Sequence, residues 1–342
     1  MKEYCLYKNR KVLSVRSDCF IVSKGYTLKK IDINTDKESY YSAIRGGGIY
    51  SIFSQFYLTR RLFRAEVTNL YKLPNGDEIC IAKKGIFRKK IDGRFFEKCF
   101  SIKRGSRPMN LCVDDCGNIF FGEYFANMEK QSVNIYASKD GGETWQIVYT
   151  FEEGNINHIH GLFWDKYTKS IWVATGDREN ECIIAYTQDS FENLNIVFRG
   201  GQEYRATNLL FYKDFIVFGT DSQYIKNEIK YIDRKTLTIA KIREIQGSAI
   251  YGGQCGDVAY MSTTVEPSDV NKDKNSYLWY TKNGLDWEQL FLDKKDIWNA
   301  NLFQFGSILF PQNESIDVLN TDMFFYGRAL KKIGGHTVRI KL

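Results

Sequence analysis

An all-β chain is what the sequence predicts, and three observations carry that prediction. Aromatic residues make up 15% of the 342 positions, with 22 Tyr and 24 Phe, and such side chains suit a pleated, half-buried surface. Glycine, at 27, far outnumbers proline, at 4, which favours tight turns between strands. A turn flanked by short strand-like runs also recurs at intervals of 44 to 56 residues. With 43% hydrophobic and 26% charged residues, the composition is that of an ordinary globular protein, so disordered and fibrous classes are excluded.

The clearest turn is Ser-Lys-Asp-Gly-Gly-Glu-Thr-Trp at 138–145, between strand-like residues 133–136 and 146–149. There the Asp side chain satisfies turn N–H groups, Gly supplies a positive φ, and Trp packs beneath. Weaker copies follow. Asp189 precedes a strand at 195–198, Asp233 one at 237–242, and the shorter turn 281–287 one at 289–292. Upstream, Asp92 precedes 95–100 and Asp36 precedes 39–44. Setting Asp36, Asp92, Asp140, Asp189, Asp233 and Asn283 in register leaves a seventh hairpin near Gly327, between 323–326 and 330–333.

Seven units of about 49 residues fit four-stranded antiparallel blades, so the expected architecture is a seven-bladed β-propeller. It spans 1–342 as a single domain. Six blades is the alternative, because blade one and the ring closure are poorly marked. Blade three reads 110–113 and 118–122 before its hairpin, and blade four reads 161–164, 170–175, 182–187 and 195–198. Blade five repeats this at 207–212, 215–219, 227–232 and 237–242. Residues 45–65, basic and aromatic together, form a blade-to-blade insertion over the pore face, as a lid or as a packed spacer.

The 138–145 segment matches the pattern S-x-D-x-G-x-T-W and so resembles the Asp-box, or BNR repeat, of sialidase-like β-propellers. The resemblance covers about residues 66–292 and implies the fold. A sialidase-like hydrolase needs three converging Arg, a Tyr nucleophile polarised by Glu, and an Asp acid/base. Arg64, Arg107, Arg205, Tyr124, Glu123 and Asp177 are the right types. The family's Phe-Arg-Ile-Pro segment is absent, so no catalytic residue transfers by motif.

In a propeller the crossings between blades and the loops after second strands open on one face, opposite the Asp-box hairpins. First-strand starts bring Arg64, Arg107, His158, His160, Arg205 and Tyr251 to that rim. Second-strand ends bring Glu123, Tyr124, Asp177, Asp221 and Glu266. Only three His occur, and two sit at 158 and 160, where strand alternation gives them one face. Either serves as general base or sugar hydrogen-bonder; a structural pair is the competing reading. A metal on this H-x-H pair would need Glu123 or Asp177 as third ligand, and neither a metal nor another cofactor is expected. Arg107 and Arg205 flank the histidine blade and suit a carboxylate, against the plainer reading of rim salt bridges to Glu123 or Asp221.

Three mechanisms remain open on these residues. Beside the sialidase-like one, Glu123 and Asp177 on neighbouring blades would supply a glycosidase carboxylate pair. A uronate lyase would use His160 or Tyr124 as base and acid, with Arg107 or Arg205 neutralising the substrate carboxylate. The expected function is therefore a propeller that binds or cleaves an acidic glycan in its central funnel, for instance in polysaccharide assembly. The alternative is a non-catalytic glycan- or protein-binding scaffold.

Charge and apolar runs exclude other classes. A net charge of +7, spread along the chain, does not imply nucleic-acid binding. No run approaches the ~18 apolar residues of a membrane span. Charged and apolar residues alternate from Met1 onward without a leader-like apolar core, so a cytoplasmic location is expected. Few Pro with many Lys, Ile, Asn and Tyr point to an AT-rich, bacterial coding sequence. The eight cysteines are expected as buried free thiols; Cys112 and Cys116 lack a second pair at zinc spacing.

Overall fold

Successive side chains of a strand point to opposite sides, and in this chain both sides are apolar. Cys19–Lys24 is buried at five of six positions, and Glu78–Ala82 and Ser170–Gly176 at every position. Such sheets need cover on both faces, and a ring of sheets provides it. The computed structural model describes residues 4–342 and closes them into seven blades. Met1–Glu3, where the leader-free start was read, lie outside the described residues. Each junction between consecutive blades holds its own apolar cluster, seven in all. Phe120 and Val133 of blade 3 pack against Ile159 and Val173 of blade 4, for example.

Blade 4 shows the common plan: His158–Asp165 innermost, then Ser170–Gly176, Ile183–Thr187 and, outermost, Asn195–Arg199. In blades 1 to 6 the register between third and fourth strands shifts at one equivalent point. The six positions are Leu28/Lys29, Ile86/Phe87, Ile135/Tyr136, Ile184/Ala185, Ile229/Lys230 and Leu278/Trp279. This recurring bulge bends the outer edge of each blade alike.

The hairpin turns behave largely as expected. Asp140 accepts from the Glu143 and Thr144 amides at 2.9 Å each, and Trp145 donates its indole N–H to Gly142 O. Trp287 donates to Gly284 O in the same way. Two register positions are corrected. In blade 1 the turn is held by Asp32, which accepts from the Asn34 and Thr35 amides, while Asp36 takes the Tyr7 hydroxyl. In blade 2 Asp92 is exposed, and Asp77 accepts the Ile91 amide instead.

Blade 7 corrects the reading near Gly327. That glycine lies inside the strand Asp322–Arg328, which pairs with Thr337–Lys341 and not with 330–333. Residues 330–333 belong to the connecting loop, whose fully buried Ile333 packs so closely that a Cβ at Gly327 would stand 2.5 Å from it. Their apolar pattern reflects this plug, not a strand. The outermost strand of blade 7 is Tyr4–Tyr7, antiparallel to the chain's last strand with Tyr4 opposite Ile340. The two ends of the chain thus complete one blade and close the ring.

The 45–65 insertion folds into two short helices, Ile49–Phe53 and Tyr57–Phe63. Buried Arg61 pairs with Asp296 at 2.6 Å and donates to Phe303 O, which fixes the segment on the crossing between blades 6 and 7. Arg60 is buried beside it, while Ile49, Ile52 and Phe56 remain exposed. Four cysteines are fully buried as expected, but Cys5 and Cys116 are exposed; all eight are free. Among the described residues no helix is long and apolar enough to cross a membrane.

Deleting the first nine residues should leave the Thr337–Lys341 edge unpaired, lower Tm by several degrees and promote edge-to-edge association. Calorimetry and size-exclusion chromatography read both effects, and an unchanged Tm would contradict closure by this strand.

Candidate functional site

With both blade faces apolar, polar side chains gather where strands begin and end. First-strand starts and second-strand ends meet at one rim, around a funnel with a cavity volume of about 1060 Å³. Arg64, Arg107, Tyr124, His158, His160, Asp177, Arg205, Asp221, Tyr251 and Glu266 all line it. Glu123 does not. Its buried carboxylate is gripped by Arg104 and accepts the Asn134 amide at 2.9 Å. The expected Glu123–Asp177 carboxylate pair, and polarisation of Tyr124 by Glu123, therefore find no geometry here.

One wall, from blades 3 to 6, is rich in carboxylates. A bulge at His160 interrupts the first pairing of blade 4, between Ile159 and Gly161. Both imidazoles nonetheless reach Asp177, His158 Nε2 at 3.5 Å and His160 Nε2 at 3.4 Å. The His160 ring lies over Gly176, where a Cβ would stand 2.6 Å from it. Arg205 donates to Asp177 at 3.0 Å and faces Asp221 at 3.4 Å. Asn157 donates to the other Asp177 oxygen at 2.6 Å.

These neighbours set the titration of the wall. Burial works against ionisation of Asp177, yet the two imidazoles more than offset it, and its carboxyl stays well below the usual range. Burial lowers His158 in spite of Asp177. Glu266 goes the other way: burial first, then the charge of Asp221, push it up to about 7. Tyr124 packs its ring 4.2 Å from that of His158. Burial and the charges of Asp177 and Asp221 raise its hydroxyl, so a phenolate nucleophile is disfavoured.

The opposite wall carries Arg64, Arg107 and Arg328, and the buried Lys11 and Glu66 pack beside these cations without lining the cavity. Lys11, at the start of blade 1's first strand, faces Glu66 at 3.2 Å, and Arg107 approaches the same carboxylate at 3.9 Å. Arg328, ending the second strand of blade 7, stacks 5.2 Å over the Tyr251 ring. Burial opposes ionisation of Glu66, but Lys11, Arg328 and Arg107 together hold it at about 2. Lys11 falls to about 7, by burial ahead of the attraction of Glu66. One carboxylate thus serves three cations, and Lys11 Nζ, Arg107 Nη1 and Arg328 Nε have no hydrogen-bond partner.

Sequence reasoning missed Lys11, Glu66 and Arg328. Arg328 obeys the same rim rule and Lys11 starts a first strand without lining the cavity, but their blades were the two whose strand boundaries the repeat did not mark. Glu66 sits in the crossing after Arg64. Of the three arginines expected to converge, Arg64 and Arg107 share the cationic wall, whereas Arg205 is committed to Asp177 and Asp221.

No protein-family model matches the chain, and no curated protein sequence matches it. Solved structures do. A prolyl endopeptidase aligns at TM-score 0.58 and 11% identity over 94% of this chain, which spans 47% of that protein. The WD40 β-propeller domain of Doa1 gives TM-score 0.58 at 10% identity, over 100% of this chain and 96% of that one. The GH74 enzyme of Niastella koreensis gives TM-score 0.56 at 14% identity, over 90% of this chain and 50% of that enzyme. At such identities the likeness is one of fold: a seven-bladed β-propeller.

The cationic wall generates a stability prediction. Glu66→Gln leaves buried cations uncompensated and should cost about 3–5 kcal/mol. Lys11→Met should cost far less, because it removes the charge that burial disfavours most. Added sulfate should restore Glu66→Gln more than it stabilises the parent. Chemical denaturation at neutral pH checks all three, and equal costs for the two variants would contradict this charge balance.

Proposed function

We propose that the funnel binds an acidic oligosaccharide and hydrolyses it. The observation that carries this reading is the pairing of unlike walls across one cavity. Three cations around a single carboxylate favour a bound anion, such as a uronate carboxylate, held bidentately by Arg107 or Arg328. Facing them, Glu266 keeps its proton to about pH 7 beside Asp221 on the next blade, which Arg205 holds. A Glu266 that keeps its proton beside a second carboxyl group suits glycoside cleavage, with Glu266 as acid and Asp221 as base or nucleophile. Tyr124 and Tyr251 offer ring faces for the sugars at the funnel wall.

Acidic oligosaccharides incubated with the protein should yield products that together exceed the substrate by the mass of one water. Glu266→Gln should reduce turnover by about a hundredfold or more. Activity should fall as pH rises through 7, where Glu266 loses its proton. The same variant should raise Tm above pH 7, where the native carboxylate is ionised against its surroundings, and leave it unchanged below pH 4. Products lacking the added water and carrying an unsaturated uronate would instead mean a lyase. Binding without cleavage across a broad panel would mean a scaffold.

A further inference from the structure

We propose that His158, His160 and Asp177 form a binding site for one first-row divalent cation, of which Zn2+ is the natural probe. The inference goes beyond the acidic-glycan reading and does not rest on it. The donor atoms lie within 4.8 Å of one another. His160 Nδ1 stands 2.9 Å from Ala206 O and His158 Nδ1 3.3 Å from Phe125 O. A carbonyl only accepts, so each Nδ1 carries a hydrogen and each ring turns its Nε2 toward Asp177. His158 Nε2 is buried without a hydrogen-bond partner and points into this cluster.

When both rings are neutral, two Nε2 lone pairs and the Asp177 carboxylate face one another around a point that a cation would occupy. The two histidine-to-carboxylate separations, one to each Asp177 oxygen, suit a shared cation. Nε2 to carboxylate distances of 3.4 and 3.5 Å are long for a charge-assisted hydrogen bond. Ligands about 2.1 Å from a tetrahedral zinc ion lie roughly 3.4 Å from each other.

The surroundings complete the case. Histidine ligands commonly donate their second N–H to a backbone carbonyl, as both rings do here, and ligating carboxylates are themselves hydrogen-bonded. Asn157 and Arg205 hold Asp177 in that manner. Arg205 is in turn shared with Asp221, so its charge does not answer Asp177 alone. Two imidazoles and one carboxylate leave a coordination position open toward the funnel, the arrangement of sites that present a metal to a ligand.

The test is titration of chelator-treated protein with Zn2+ by calorimetry, and with Co2+ by visible absorption. One equivalent should bind, with the d–d bands of Co2+ in nitrogen and oxygen coordination. His158→Gln, His160→Gln and Asp177→Asn should each weaken binding at least a hundredfold, whereas His336→Gln should not. Gly176→Ala, which retains every ligand but displaces the His160 ring, should weaken it about tenfold. If the ligand variants fail to fold, X-ray absorption of the zinc-loaded parent protein still decides. Two imidazoles in the first shell support the site. Absence of binding, a sulfur-to-cobalt charge-transfer band from cysteine ligation, or affinity unchanged in the histidine variants would overturn it.

Discussion

The rest of the structure depends on one constraint: each blade is apolar on both faces and is stable only between two neighbours. That condition makes the ring obligatory and places a separate cluster at each of the seven junctions. It also gives the two chain ends their task. Without Tyr4–Tyr7 on its outer edge, blade 7 would end in unpaired backbone groups along Thr337–Lys341. With strand interiors committed to packing, polar chemistry is confined to strand ends, and the ring gathers one set of ends around the funnel.

The funnel then segregates charge instead of pairing it off. Arg64, Arg107 and Arg328, with buried Lys11 beside them, come from blades 1, 7 and the crossings beside blade 2, while Asp177, Asp221 and Glu266 follow second strands of blades 4, 5 and 6. Each wall has an internal counter-ion, Glu66 on one side and Arg205 on the other, too few in both cases to balance it. Buried charge left in excess is costly to the fold, and such excess marks places built for something that arrives from outside. On the proposed reading the cationic wall takes an anion. The histidine–aspartate cluster is proposed to take a cation.

Much of this was legible in the sequence. Blades 3 to 5 stand within a few residues of their expected bounds, because alternation and the turn around Asp140 mark them. The rim rule placed ten of eleven candidate residues on the funnel. It missed on Glu123, because a strand-end position does not reveal whether a nearby Arg104 will capture the side chain. It also misread the partner of the Gly327 strand, since the apolar loop around Ile333 imitates a strand in composition. Ring closure was invisible for a simple reason: it pairs the two ends of the chain, and local pattern carries no information about contacts 300 residues apart. Lys11 and Arg328 stayed hidden with it.

On the proposed function the two walls act on one ligand across the funnel. A crystal structure of Glu266→Gln soaked with a uronate-containing trisaccharide tests it most directly. The uronate carboxylate should sit on Arg107 and Arg328, with a glycosidic oxygen beside residue 266. A saccharide bound on the hairpin face, or one in the funnel with its carboxylate turned away from the cationic wall, would contradict it.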